Sequence, residues 1–145
     1  GGLYATGVNG AITVLNPAPA AVLGAEILQH CDIVVPNEHE VELLGGVAHL
    51  LSLGAKAVVV TLGANGADLH TAHGVEHIDP FDVTPVDTTG AGDTFSGALC
   101  ARLAAGDELP VALRFAAAAG ALCTTKVGAV PSIPHYAETA ALADA

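Results

Sequence analysis

Three short runs, Ile12-Thr13-Val14-Leu15, Asp32-Ile33-Val34-Val35 and Ala57-Val58-Val59-Val60-Thr61, are nearly continuous in apolar, mostly β-branched residues. A strand with water on one face alternates polar and apolar side chains. Runs without alternation therefore read as strands covered on both faces, the condition of a parallel sheet. Parallel neighbours need crossovers, and helix-like stretches from Ala20 to Gln29 and from Glu38 to Leu53 lie between the runs. The pattern predicts an α/β fold with right-handed crossovers and helices on both faces of a mainly parallel sheet. From Ala67 to Val86 the texture changes to shorter, more polar pieces broken by Gly74, Pro80 and Pro85, as expected of antiparallel edge strands. Two Ala-rich stretches, Ala91 to Ala105 and Leu109 to Lys126, predict helices whose small side chains allow close packing, and a short helix begins near Tyr136. No linker, repeat or low-complexity tract interrupts the chain, so residues 1–145 are expected to form one domain.

Charge narrows the partners. Four basic residues, Lys56, Arg102, Arg114 and Lys126, stand against fifteen acidic ones, a net charge of −11. Nucleic acid is an unsuitable partner for a chain without a Lys/Arg cluster. Any phosphate bound here must be neutralised by metal ions and backbone N–H groups. No apolar run reaches the roughly 20 residues that span a bilayer, and the first residues lack the charged start of a signal peptide. The expectation is a soluble, cytoplasmic protein. Cys31, Cys100 and Cys123 are far apart in apolar surroundings and read as buried reduced thiols. Among seven histidines no pair has the spacing that puts two imidazoles on one helical face, and His70, His73 and His77 read as solvated residues of a hairpin-like stretch.

The segment richest in chemistry is Asp87-Thr88-Thr89-Gly90-Ala91-Gly92-Asp93-Thr94-Phe95-Ser96-Gly97-Ala98. Gly90 and Gly92 sit where an irregular stretch becomes a helix, so unhindered N–H groups and the positive end of the helix dipole converge there. That is an anion site. It is not a G-x-x-x-x-G-K-[ST] loop, since no lysine is near it in sequence. Asp93 in the first helical turn would by itself be only a favourable N-terminal charge.

Read as a set, D-T-T-G-A-G-D-T-F-S-G-A resembles, residue for residue, the C-terminal signature of the ribokinase-like (PfkB) carbohydrate kinases. The resemblance implies a ribokinase-like, Rossmann-type three-layer sandwich. It also implies ATP-dependent phosphorylation of a sugar hydroxyl, with Asp93 as the base and the amides of Gly90, Ala91 and Gly92 as the anion hole. Oriented amides and a weak base suit phosphoryl transfer, in which charge spreads over the equatorial oxygens of a loose transition state.

Other segments extend the resemblance. Leu15-Asn16-Pro17-Ala18-Pro19 resembles a segment found in the family, although alone it is a proline-rich strand end. Asn37-Glu38-His39-Glu40 matches the N-x-x-E motif and implies that Asn37 contacts the nucleotide and Glu40 positions Mg²⁺. Without that context Asn37 is equally a helix N-cap. Thr61-Leu62-Gly63-Ala64-Asn65-Gly66 resembles the nucleotide loop, with Thr61, Gly63, Asn65 and Gly66 as contacts, or else is plain turn chemistry. Ala117 stands at the position near the adenine where an asparagine is frequent. Gly128-Ala129-Val130-Pro131-Ser132-Ile133-Pro134 resembles the G-A-x-x-S-x-P tail, which implies a K⁺ site formed by Asp87, Thr89, Cys123, Lys126, Gly128 and Ser132, mostly through carbonyls; its alternative is a proline-containing loop.

The resemblance begins near Ile12 and covers the C-terminal half of the family. An N-terminal half bearing most sugar contacts and a small β-sheet lid is expected to be absent, and the Leu44–Val47 connection is shorter than in the family. With ATP and a small sugar as partners, ribose is the leading substrate. Adenosine, fructose and a 2-keto sugar acid are the alternatives within the family, a non-catalytic nucleotide-binding domain is the alternative outside it, and a homodimer is allowed.

Overall fold

In the computed structural model, which describes residues 2–6, 12–17, 28–127 and 134–145, the three apolar runs are neighbours in one sheet. Its strands, β1 (Gly2–Thr6), β2 (Ile12–Asn16), β3 (Ile33–Val34), β4 (Ala57–Thr61), β5 (Ala67–Thr71) and β6 (Gly74–Ile78), lie side by side in chain order. β2, β3 and β4 pair in parallel, Val14 opposite Ile33 and Ile33 opposite Ala57. β1 on β2 and β5 on β4 are antiparallel. The parallel centre and the antiparallel strands after Ala67 are as the sequence predicts. β1 is not: five residues between glycines are too short to show a period, and pairing with β2, Leu3 opposite Leu15, makes them a strand.

Two compact units divide the chain, Gly1–Gly63 with Ala67–His77, and Ala64–Gly66 with Ile78–Ala145. In the first, Val14, Val34, Val58 and Val59 are wholly buried, and Leu15, Val34, Val58 and Val60 pack with Leu28, Val41, Leu44 and Leu50. Each such aliphatic side chain contributes about 1.5–3 kcal/mol on leaving water. The single helix expected from Glu38 to Leu53 is two, α1 (Glu38–Leu43) and α2 (Val47–Ser52). Gly45 and Gly46 adopt φ of +97° and +94°, which ends the α-helical path. Gly46 N–H donates to the Val41 carbonyl at 2.9 Å and Gly45 N–H to that of Glu42 at 3.1 Å, the paired bonds of a glycine-terminated helix end. The segment expected as a helix from Ala20 to Gln29 lies largely outside the described residues.

The second unit contains α3 (Ala91–Ala104), α4 (Leu109–Cys123) and α5 (Tyr136–Ala143). Leu99, Leu113, Ala116, Ala118 and Cys123 are buried, and small residues let α3 and α4 approach: a Cβ on Gly120 would lie 3.4 Å from the Ala91 carbonyl oxygen. α4 stops at Cys123 rather than Lys126 because the Thr124 and Thr125 hydroxyls turn back onto the carbonyls of Ala121 and Leu122, each at 2.7 Å. Arg114 Nε donates at 2.8 Å to the Ala143 carbonyl, placing a cation at the end of α5. Cys31 and Cys123 are buried and Cys100 is half-buried, and burial pushes the Cys31 and Cys100 thiols up from their ordinary range, the Asp32 charge adding to the shift at Cys31. Among the described residues no helix is long and apolar enough to cross a membrane.

Candidate active site

The turn into α3 is tied down from several sides. The Val86 and Asp87 amides both donate to the Thr124 carbonyl, at 2.7 and 2.9 Å, anchoring the turn to the end of α4. Asp87 Oδ1 accepts from the Thr89 amide at 2.9 Å, a local turn that a short acidic or amide side chain closes well. Gly90 is the N-cap with φ +78° and ψ 0°, a left-handed conformation costly for any residue with a Cβ. The Ala91 amide is used internally, donating to the Thr88 carbonyl at 3.2 Å, and the Thr94 amide makes the first helical bond, to the Gly90 carbonyl at 2.9 Å. Among the described residues the N–H groups of Gly90, Gly92 and Asp93 have no partner within the protein. Such donors at the start of a fourteen-residue helix suit an anion.

Asp93 is exposed in that first turn and borders a cleft of about 490 Å³. The rest of the cleft is nearly apolar, with Gly97 and Ala101 of α3, Phe115 of α4, and Pro134 and Tyr136 along its wall. At one end Arg102 holds Asp107 through two bonds of 2.7 and 2.9 Å and lies over the rings of Phe115 and Tyr136, 5.4 and 5.5 Å from their centroids. The hydrogen bonds that Arg102 donates to Asp107 hold the guanidinium above its ordinary range and the Asp107 carboxyl below its own. Sequence reasoning missed this cluster. An Arg and an Asp flanking Ala105-Gly106 at the end of a helix were the only signal.

Three of the residues implied to contact nucleotide or metal come together in the first unit. Thr61 N–H donates to the Pro36 carbonyl at 2.9 Å, and Asn37, past the end of β3, forms a parallel bridge with Thr61, the last residue of β4. Asn37 Oδ1 accepts from the Glu40 amide at 2.7 Å, and Glu40 Oε1 accepts from the Asn37 amide at 2.9 Å. Asn37 is thus the helix N-cap that the sequence left open, in a capping box that also fixes the Glu40 carboxylate, only 8% exposed, at the end of the sheet. Gly63 opens a short 3₁₀ turn, Gly63–Asn65.

In the second unit Asn65 is exposed, and a Cβ on Gly66, at φ +91°, would lie 2.1 Å from the Ile78 carbonyl oxygen, so only glycine fits. Ala117 is half-buried on α4. Of the residues implied for K⁺, Asp87, Thr89 and Cys123 gather at the turn, the Cys123 thiol 3.8 Å from the Thr89 carbonyl oxygen. Lys126 is exposed, 3.9 Å from Glu138, while Gly128 and Ser132 lie outside the described residues. Among the described residues no group of three or more His, Cys, Asp and Glu side chains forms a metal cluster. His73 and His77 are exposed and His70 is half-buried, but His77 pairs with Asp68 at 2.6 Å.

Comparison with known proteins gives the arrangement its family. A ribokinase of Staphylococcus aureus (strain COL) is 43% identical over 143 residues, 90% of this chain and 47% of the relative. Among solved structures, a ribokinase from Thermotoga maritima superimposes with a TM-score of 0.88 at 37% identity, covering 95% of this chain and 50% of that one. Arabidopsis thaliana ribokinase, complexed with ribose and ATP, gives 0.85 at 33% identity over 91% and 47%. The chain spans about half the length of the relatives it matches. Residues 4–136 match the pfkB family carbohydrate kinases, a match that begins within β1 rather than at Ile12, and the fold they form is that of the ribokinases: the chain belongs to the pfkB family of carbohydrate kinases.

Proposed function

We propose that this chain is the nucleotide-binding and catalytic half of an ATP-dependent sugar kinase, with ribose as the first substrate and ribose 5-phosphate as the product. The observation that carries the reading is the start of α3, where an exposed carboxylate, Asp93, stands in the same helical turn as the open amides of Gly90 and Gly92. Phosphoryl transfer needs little more from a protein than this pairing: donors for the charge on the equatorial oxygens, and a base that orients the attacking hydroxyl and takes its proton late. Asp93 is that base. The Ala91 amide joins the anion hole only by releasing or sharing its bond to Thr88.

With four basic residues in the chain, phosphate charge must be met largely without side-chain cations. Glu40 fits a role beside Mg²⁺, because its capping-box bond keeps an anionic oxygen donor fixed at the sheet end, and hard divalent cations take such donors. Mg²⁺ bound with ATP would neutralise phosphate charge there. Asn37, Thr61, Gly63, Asn65, Gly66 and Ala117 are assigned to the nucleotide. For K⁺, the turn supplies the Thr89 carbonyl and the Asp87 carboxylate, oxygen donors that suit the ion, with Cys123, Lys126, Gly128 and Ser132 completing the set. Cysteines read as reduced thiols, together with ATP, fit a cytoplasmic setting.

The test is ADP production by the complete gene product with ribose, adenosine, fructose and a 2-keto sugar acid in parallel. Turnover with ribose at the highest kcat/KM is expected. Turnover with another member of the set corrects the substrate, and none with any overturns the reading.

A further inference from the structure

We propose that the Cys123 thiol is a positioning residue that aims the Gly90 amide of the anion hole, acting through the Thr89–Gly90 peptide without touching substrate; this rests on the kinase reading above. Cys123 is wholly buried at the last turn of α4. Its Sγ accepts from Thr94 Oγ1 at 3.4 Å and donates to the Thr89 carbonyl oxygen at 3.8 Å. Hydroxyl, thiol and carbonyl form a relay in which each donor polarises the next.

The consequence follows from peptide geometry. The Thr89 C=O and the Gly90 N–H belong to one planar trans peptide and point in opposite directions. Holding the carbonyl on a buried sulfur turns the Gly90 N–H away from that sulfur, and Gly90 borders the cleft beside Asp93. A tie is needed because Gly90, at φ +78° and without a Cβ, tolerates either orientation of this peptide. A flipped peptide would present a carbonyl dipole where the anion hole needs a donor. Thr94 secures the turn twice, its amide to the Gly90 carbonyl at 2.9 Å and its hydroxyl, through sulfur, to that of Thr89. A carbonyl oxygen has two acceptor directions, so the thiol leaves one for a cation.

The experiment compares Cys123→Ala with Cys123→Ser in the complete gene product. Both substitutions shrink the side chain by similar amounts, but only serine can still donate and accept. Cys123→Ala should lower kcat by about three- to tenfold, the worth of one hydrogen bond, with KM for the sugar unchanged. Cys123→Ser should recover most of the loss. Equal losses would mean packing alone and would overturn the proposal, as would two fully active variants. Amide hydrogen exchange over 88–94 needs no turnover: faster exchange in the alanine than in the serine variant is expected, and equal protection would overturn the proposal. If the unsubstituted protein phosphorylates no sugar, the kinase reading fails and exchange alone judges Cys123. Should Cys123→Ala not fold, Thr94→Val and Thr94→Ser provide the same contrast at the other end of the relay.

Discussion

Charged groups are held differently in the two compact units. In the first, three carboxylates are engaged: Glu40 by the Asn37 amide at 2.9 Å, Asp32 by the Thr13 amide and Lys56, both at 2.9 Å, and Asp68 by His77 at 2.6 Å. In the second, Arg102 and Asp107 pair at 2.7 Å, yet Asp93 stands exposed with no partner among the described residues, in the same helical turn as amides that are also open. A carboxylate that closes architecture spends its lone pairs on fixed donors. One that must accept a substrate proton keeps them free. The difference therefore separates carboxylates that stabilise the fold from one left open beside unpaired amides, where it can do chemistry, and substitutions should follow the division.

The largest effect is expected at Asp93. Asp93→Asn removes the base while leaving no architectural bond broken, so kcat of the complete gene product should fall by about 10²- to 10⁴-fold while ATP affinity and melting temperature stay unchanged. Steady-state kinetics with nucleotide titration checks this. An unchanged kcat would remove Asp93 from the mechanism, and a large drop in melting temperature would show that it serves the fold after all.

The same division explains what could be read in advance. The parallel centre of the sheet was legible because burial on both faces leaves β-branched runs without alternation, and the start of α3 because two glycines at a helix start leave its backbone N–H groups unhindered toward an anion. The break at Gly45-Gly46 was hidden, since the apolar period of a helix continues on either side and only the left-handed φ of both glycines shows that the chain turns. The Thr94–Cys123–Thr89 relay was hidden for another reason. It joins residues far apart in sequence, Thr94 and Cys123 being 29 positions apart, and a thiol at the end of an Ala-rich helix gives no sign of its partner. The Asp32–Thr13 bond was hidden in the same way, across 19 positions.

Next in size is a glycine of the second unit that serves architecture as well as the proposed nucleotide loop. In Gly66→Ala the new Cβ would meet the Ile78 carbonyl oxygen at 2.1 Å on a backbone held at φ +91°. Strain and clash together should cost about 2–4 kcal/mol, read as a lower denaturation midpoint in chemical unfolding. A variant as stable as the parent would mean that the 63–66 turn can move aside.

At Asp32 the expected effect is smaller and depends on pH. Partial burial raises its carboxyl pKa, but the Thr13 amide bond, Lys56 and the Thr13 hydroxyl outweigh burial and hold it below the ordinary range. A folded-state pKa below the unfolded one stabilises the protein above the unfolded value, and the contribution is lost as pH falls through the folded one. Asp32→Asn should therefore cost about 1–2 kcal/mol near pH 7, a charged acceptor being replaced by a neutral one, and the gap between parent and variant should close below about pH 4. A gap independent of pH would show that packing at Asp32, not its charge, matters.

The smallest effect on stability, and the one that sharpens the comparison most, is expected from Glu40→Gln. Glutamine can still accept from the Asn37 amide through its Oε1, so the capping box survives in neutral form and α1 should lose only about 0.5 kcal/mol or less. If Glu40 were purely architectural, the substitution would end there. The proposed Mg²⁺ role requires a second loss with a different dependence: nucleotide affinity should fall several-fold when Mg²⁺ is present and stay unchanged when it is chelated, because a carboxamide oxygen lacks the charge a hard cation selects. Thermal melts and ATP titrations, each with Mg²⁺ and with chelator, separate the two losses. A stability change without a Mg²⁺-dependent change in affinity would return Glu40 to the carboxylates that only close the fold, leaving Mg²⁺ to be held by other residues.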